Sequence, residues 1–312
     1  MTTLQSPIRP ARGTDSDLIA GFVAQYQPFL HECRLERGVE AQRAAAEWVD
    51  TWLDQFPAHA RNEVASGVAE MLFRNFVTEA EMTAALRKWA TQSSDAPEAV
   101  VAWQQEGASQ KVIRRMLERH LRARQTMTST ERRERVVYVD DIAVLGARFA
   151  QDYVNNWQDG DSHVTVLLWA SMRSIAQLQD PIEYWRRKLG KSHVPVDTVS
   201  LEFLSDDRHS WPQRVDTTTD TAGLAHHLLQ AGADLIEQQE DAGTRKPYAF
   251  PLGHQPFEHP DHPDGPGCPV VTWRNIPNSA PIALWWRSED WQPLFPRQTN
   301  RKTARDIQEV QP

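Results

Sequence analysis

The stretch RRERVVYVDDIAVLGARFAQDYVNNW, residues 132 to 157, changes period in its middle. Its first half is an apolar run, Val136 to Val139, that ends in two adjacent acids, Asp140 and Asp141. Its second half sets Phe149, Ala150, Tyr153, Val154 and Trp157 on one face at helical spacing. A buried strand that passes through a glycine, here Gly146, into an amphipathic helix is the unit from which parallel α/β sheets are built. Two carboxylates side by side at a strand end repel each other and lose hydration, so a fold avoids them unless something binds there.

Working outward, the runs VTVLLW (164–169), VSLEFL (199–204), PVVTW (269–273) and PIALWW (281–286) read as further strands, with helices over 146–157 and 221–240 between them. That alternation predicts a largely parallel sheet, whose ligands sit at the carboxyl ends of strands, where Asp140 and Asp141 stand. Upstream the pattern is helical. Asp15 or Ser16 can cap a first helix that Pro28 bends or ends. A helix carrying Trp48, Val49, Trp52 and Leu53 stops at Pro57, and another spans 61–76. Thr78 caps a short helix through Trp89, with Glu81 placed to complete a capping box. A loop at TQSSDAPEA and a helix over 109–125 follow. The expected organisation is a helical domain over 1–130, an α/β domain with a strand-rich C-terminal extension over 131–297, and a disordered polar tail over 298–312.

Composition narrows the function classes. The chain has 312 residues, is 40% hydrophobic and carries a net charge of −8, which argues against a protein that coats nucleic acid. No apolar run approaches the roughly 18 residues of a membrane helix, and the N-terminus has no apolar secretory core. Cys33 and Cys268 are the only cysteines, which fits a reducing compartment, so the expected location is the cytoplasm. The charge is uneven: nine Lys/Arg against three Glu between Ser109 and Arg135 give a local +6, leaving −14 elsewhere. Within that segment Lys111, Arg115, Arg119 and Arg122 form a helical stripe, read first as a solvated face and second as a rest for nucleic-acid phosphates. His254, His259, His262 and Cys268 are metal-ligand types without a recognised zinc spacing. Trp273, Trp285, Trp286 and Trp291 read as packing rather than as a base-stacking platform. There is no Walker A loop, no G-x-S-x-G elbow and no H-E-x-x-H.

Two chemistries use paired acids after an apolar strand. YVDD could be the palm turn of a reverse transcriptase, but that requires a third acid on an upstream strand, and the upstream residues read as helical. The other chemistry is sugar-phosphate binding, in which the acids accept from ribose hydroxyls and the following turn offers N–H groups to a phosphate. VVYVDDIAVLGARF resembles the ribose-phosphate motif of type I phosphoribosyltransferases. Members of that class usually carry hydroxyl residues beside the glycine, whereas Val144 and Leu145 precede it here and Arg148 follows. The C-terminal run PVVTWRNIPNSAPIALWWRSEDWQPLFPR resembles the closing segment of a divergent phosphoribosyltransferase-like family of bacterial conflict and antiphage loci, some of them retron-associated. The matching residues are Pro277, Asn278, Trp285, Trp291, Pro293, Leu294, Phe295 and Arg297, preceded by FPLGH at 250–254. The helical front resembles the winged-helix-like module often fused to that family.

The resemblance implies a phosphoribosyltransferase-like, Rossmann-like α/β fold, a nucleotide or phosphorylated-ribose ligand and a defence role with a protein or nucleic-acid partner. Asp140 and Asp141 would contact ribose, directly or through Mg²⁺, as the catalytic and metal-binding pair. The turn Ile142, Ala143, Val144, Leu145, Gly146, Ala147 and Arg148 would hold the phosphate. A Pro-Asn turn and a Pro-rich exit ending in arginine suggest that Asn278 and Arg297 line the same cleft.

Overall fold

All four side chains of the run Val136–Val139 are buried, in the middle of a strand that spans Arg135–Ala143. The computed structural model describes residues 13–92, 100–101, 108–122, 135–143, 147–158, 161, 163–171, 175–191, 193–204, 221–241, 251–252, 270–277 and 280–297. Contacts divide the chain into two units, one built from 1–76, 211–254 and 264–312, the other from 77–210 and 255–263. The helices upstream of residue 125 therefore fall into both units, which differs from a division at residue 130.

The second unit holds the sheet. After the short strand β1 (Phe76–Val77), at which the units divide, come α5 (Glu79–Gln92), β2 (Val100–Val101), α6 (Ala108–Arg122), β3 (Arg135–Ala143), α7 (Ala147–Asn156), β4 (His163–Ser171), α8 (Ile175–Leu189) and β5 (Val199–Phe203). Strand order is β2-β3-β4-β5 and every pairing is parallel, as the alternation of strand and helix predicts. Alternate residues of the strands separate onto two faces. Val136, Tyr138, Val164, Val166, Leu168 and Val199 pack with Phe149, Ala150, Tyr153 and Val154 of α7 and Ile182 of α8 in one cluster. Tyr138 meets Phe149 and Tyr153 edge to face, at centroid distances of 5.4 and 5.9 Å. In α6, Ile113, Met116, Leu117 and Leu121 are buried, and the helix contacts α5, β2 and β3. Burial of that stripe is why α5 and α6 join the sheet. The Trp89 indole of α5 also donates to the Glu202 carboxylate on β5. The expected capping box is present: Thr78 Oγ1 accepts from the Glu81 N–H while the Glu81 carboxylate accepts from the Thr78 N–H.

The first unit contains α1 (Asp15–Val23), α2 (Gln27–Cys33), α3 (Val39–Leu53) and α4 (Arg61–Asn75), with α9 (Thr221–Asp241) and the C-terminal segment. The first cap is Thr14, whose side chain accepts from Asp17 N–H in a reciprocal box, rather than Asp15 or Ser16. Pro28 starts α2 instead of bending α1, since proline is tolerated where the N–H would be unpaired. The strand-rich C-terminal extension is corrected. PVVTW contributes only β6 (Val271–Thr272), which pairs with β1, and PIALWW forms the short helix α10 (Ile282–Trp285). A four-residue apolar run buried on all sides has no period to separate strand from helix turn, and Pro281 opens the turn. Helix α9 packs on α4, so it is no crossover of the sheet.

Tryptophan indoles fasten the C-terminal segment to α3. Trp48 Nε1 donates to the carbonyls of Pro293 (2.9 Å) and Leu294 (3.2 Å), and Trp52 Nε1 donates to Ala283 O (3.1 Å). Gln55 and Gln292 exchange bonds beside them, and Trp291 packs edge to face on Phe56. At the α4–α9 contact Gly67 is required: a Cβ there would stand 2.7 Å from Leu224 Cβ. Gly67→Ala should therefore lower the unfolding free energy by about 1–3 kcal/mol despite alanine's helix propensity. Gly21→Ala on α1, where an added Cβ meets nothing within 4 Å, should raise it by about 0.5–1 kcal/mol. Denaturant melts of both variants check the pair, and equal effects would contradict the packing.

Candidate functional site

The β3–α7 unit follows directly from its residues. Val136, Val137, Tyr138 and Val139 are β-formers with both sheet faces buried, and α7 opens at Ala147 so that Phe149, Ala150, Tyr153 and Val154 cover one face. Asp140 and Asp141 do not end the strand. Asp140 is in register with Leu168, Ile142 with Ala170 and Ala143 with Ser171, so the ladder runs on beyond both acids. Ladder hydrogen bonds are made by backbone and continue whatever the side-chain charge. A parallel strand that continues straight through the acids is not the chain reversal of a polymerase palm turn.

Only residues 144–146 separate the end of β3 from the start of α7. Among the sequence-derived site residues, Asp140, Asp141, Ile142 and Ala143 thus occupy the carboxyl end of β3, and Ala147 and Arg148 open α7. Val144, Leu145, Gly146 and Asn278 lie outside the described residues. One residue past Leu168, Trp169 of β4 is level with Asp141; its indole N–H is buried and has no hydrogen-bond partner among the described residues. Sequence reasoning read Trp169 only as strand, because an unsatisfied donor leaves no trace in residue pattern. Among the described strands the order never reverses, so the crevice that a reversal creates in doubly wound sheets has no counterpart there. What β3 offers a ligand comes from its end and its turn.

An open hollow of about 440 Å³ lies elsewhere, lined by Gln179, Glu183, Arg186, His193, Pro195 and Asp197. Those last residues precede Val199, which pairs with Val164, whereas Asp140 pairs four residues further along β4 at Leu168. At about 3.3 Å per residue, Val199 therefore stands roughly 13 Å nearer the amino edge of the sheet than Asp140. The floor of the hollow is structural: Tyr153 Oη donates to Pro195 O at 2.8 Å, and His193 packs against Trp157 at 5.0 Å. Burial pushes the Tyr153 phenol above its ordinary value of 10.0, opposed by a hydrogen bond with Thr198.

The remaining sequence-derived residues have identifiable settings. The Arg297 guanidinium sits 4.9 Å from the centroid of the Trp285 ring, a cation–π contact within the first unit. Trp273 and Trp285 are buried and Trp291 donates to Ala283 O, in keeping with packing roles. Arg115 and Arg119 are exposed and Lys111 is half-buried on α6; the side chain of Arg122 and the loop holding His254, His259, His262 and Cys268 lie outside the described residues, His254 through Cys268 included. Among the described residues no three His, Cys, Asp or Glu side chains converge as metal ligands, and no helix is long and apolar enough to cross a membrane.

A parallel α/β unit whose acid-bearing strand turns into a helix within three residues fits a phosphoribosyltransferase-like class. The model of one such family, PRTase-CE, matches residues 49–297, and the chain belongs to that family. No curated protein and no solved structure matches the chain.

The Tyr153 environment carries a test. Unfolded tyrosines release their proton near 10.0, while folded Tyr153 holds it to higher pH. Above that pH the unfolded state binds fewer protons than the folded one, so stability falls as pH rises from 10.0 through the folded value. Tyr153→Phe should cost about 1 kcal/mol at neutral pH by leaving Pro195 O without its donor, and should flatten the alkaline loss. Urea titrations at pH 8 to 11 measure both.

Proposed function

We propose that the carboxyl end of β3 binds the ribose-phosphate portion of a nucleotide or of an activated sugar phosphate. The observation that carries the reading is the passage from Asp140 and Asp141 through residues 142–146 to the N-terminus of α7, a spacing that suits ribose hydroxyls at the acids and a phosphate at the helix start. Family membership supports the same ligand class. In this reading Asp140 and Asp141 accept from the ribose hydroxyls, directly or through Mg²⁺, a hard cation suited to carboxylate oxygens. Backbone N–H groups from Ile142 to Ala147 and the Arg148 side chain serve the phosphate. Transfer or cleavage at the anomeric carbon would place positive charge on the sugar ring, which the paired carboxylates stabilise.

A second reading keeps the ligand and drops the turnover. Val144 and Leu145 stand where phosphoribosyltransferases usually carry hydroxyls, which favours a nucleotide-sensing module that regulates a partner. Resemblance of the C-terminal run to proteins of antiphage loci supports a defence setting for either reading. Asn278 and Arg297 are proposed as accessory contacts on that resemblance alone.

The test is a thermal-shift series on the full chain with phosphoribosyl pyrophosphate, ribose 5-phosphate, common nucleotides and NAD, each with and without Mg²⁺. A ligand at about 100 Kd adds roughly 2.7 kcal/mol of stability if it binds only the folded state. The expected result is a shift that disappears in Asp140→Asn/Asp141→Asn while the unliganded melting temperature stays within a few degrees. A shift retained in that variant, or none with any compound, would sink the assignment. Product formation on the shifting ligand separates enzyme from sensor.

A further inference from the structure

The second unit also presents a basic face that the β3 site does not use. Helix α6 carries Lys111, Arg114, Arg115, Arg119 and Arg122 against a single acid, Glu118, which pairs with Arg114 at 3.6 Å. Its buried stripe, Ile113, Met116, Leu117 and Leu121, fixes the opposite side toward solvent, and Arg115 and Arg119 are exposed there one turn apart. A second helix adds to the face: Arg87 of α5 is exposed, and α5 packs on α6. The charges of Arg87 and Arg119 both reach His120 and, after burial, hold its pKa below the ordinary value. Attraction to the negative end of the α6 dipole accounts for cations in the last turn only, and does not extend to Arg115 or to Arg87 on α5.

From this geometry we infer that the α5–α6 face binds the phosphate backbone of a nucleic acid. A single phosphate cannot engage all of it, because Lys111 to Arg119 spans about 12 Å of helix at about 1.5 Å per residue. A polyanion with regularly spaced charges can meet several of them at once. The rest of the chain is acidic, with −14 outside Ser109–Arg135, so the face stands out as a local anion site and disfavours non-specific coating by the remaining surface. Recognition is of backbone and not of base sequence, since no exposed aromatic side chain interleaves the cations on these two helices.

The experiment uses the full chain and a fluorescein-labelled oligothymidylate of about 20 nucleotides, with a duplex of equal length in parallel, titrated at several salt concentrations. Binding should weaken with salt, and Arg115→Gln/Arg119→Gln should reduce affinity at least about tenfold at low salt and lower the salt slope by about 1.4 for the single strand. Arg87→Gln, on the neighbouring helix, should weaken binding in the same direction, while Arg43→Gln on α3 should leave it unchanged. All three arginine variants replace exposed side chains, and circular dichroism verifies that they fold. Asp140→Asn/Asp141→Asn should retain nucleic-acid binding, so failure of the ribose-phosphate reading and failure of this one are separable. Absence of binding at low salt, unchanged affinity and slope in the double arginine variant, or equal competition by polyglutamate, which would mean an acidic protein partner, each overturns the inference.

Discussion

The C-terminal segment of the first unit is held on α3 by indole donors that α3 supplies. Between Val270 and Arg297 the described backbone makes one two-residue strand and one four-residue helix, so regular structure pairs only a few of its carbonyls and turns and side chains serve others. Buried carbonyls must be paired, and α3 meets that need with indole N–H groups: Trp48 reaches Pro293 and Leu294, Trp52 reaches Ala283. Tryptophan suits the role because one side chain brings a large apolar surface and a single directed donor. Trp291 donates to the same Ala283 carbonyl from within the segment, and Phe295 packs edge to face on Tyr26. The short helix α10 is far below the length at which a helix is stable alone, and it exists because these contacts hold its ends.

Where residue pattern and physical cause coincide, the sequence was readable. Thr78 and Glu81 announce a cap because both halves of the box are local, and the change of period after Val139 announces β3 and α7 because both faces of the strand and one face of the helix are buried. Asp140 and Asp141 lie in β3 as expected, but the strand continues two residues past them: register depends on Leu168 and Ala170 of a neighbour that the local sequence cannot see. Residues 281–286 were misread for the complementary reason. An apolar run that is buried on every side has no polar positions to mark its period, and the donors that decide its path come from α3, more than two hundred positions earlier in the chain. Val100 and Val101 passed unnoticed as β2 because two residues make no period at all; their pairing with Val136 and Val137 defines them.

Charge tells a similar story about the second unit. The stripe on α6 was visible as spacing, but the contribution of Arg87 was not, since it depends on α5 packing beside α6. The same packing explains why these helices belong with the sheet. The apolar stripe of α6 is buried against β2 and β3 with α5 packed beside it, and the face of α6 that remains is the charged one. A domain boundary drawn from secondary-structure type alone misses this, because burial assigns a helix to the core that it covers.

The order in which the units are made has a consequence for how the protein is assembled. Residues 77–210 are continuous and form most of the second unit, whereas the first unit needs α3 from near the start of the chain and Ala283 to Phe295 from near its end. During synthesis the sheet can close while Trp48 and Trp52 of α3 still lack their hydrogen-bond acceptors, which emerge more than two hundred residues later. Chains fold by domains as they leave the ribosome, at roughly 5–20 residues per second. The indole donors of Trp48 and Trp52 therefore wait on the order of 10–50 seconds for their acceptors at that rate. Truncation shortly before residue 283 would remove the carbonyls of Ala283, Pro293 and Leu294 and leave both indole donors of α3 without their acceptors.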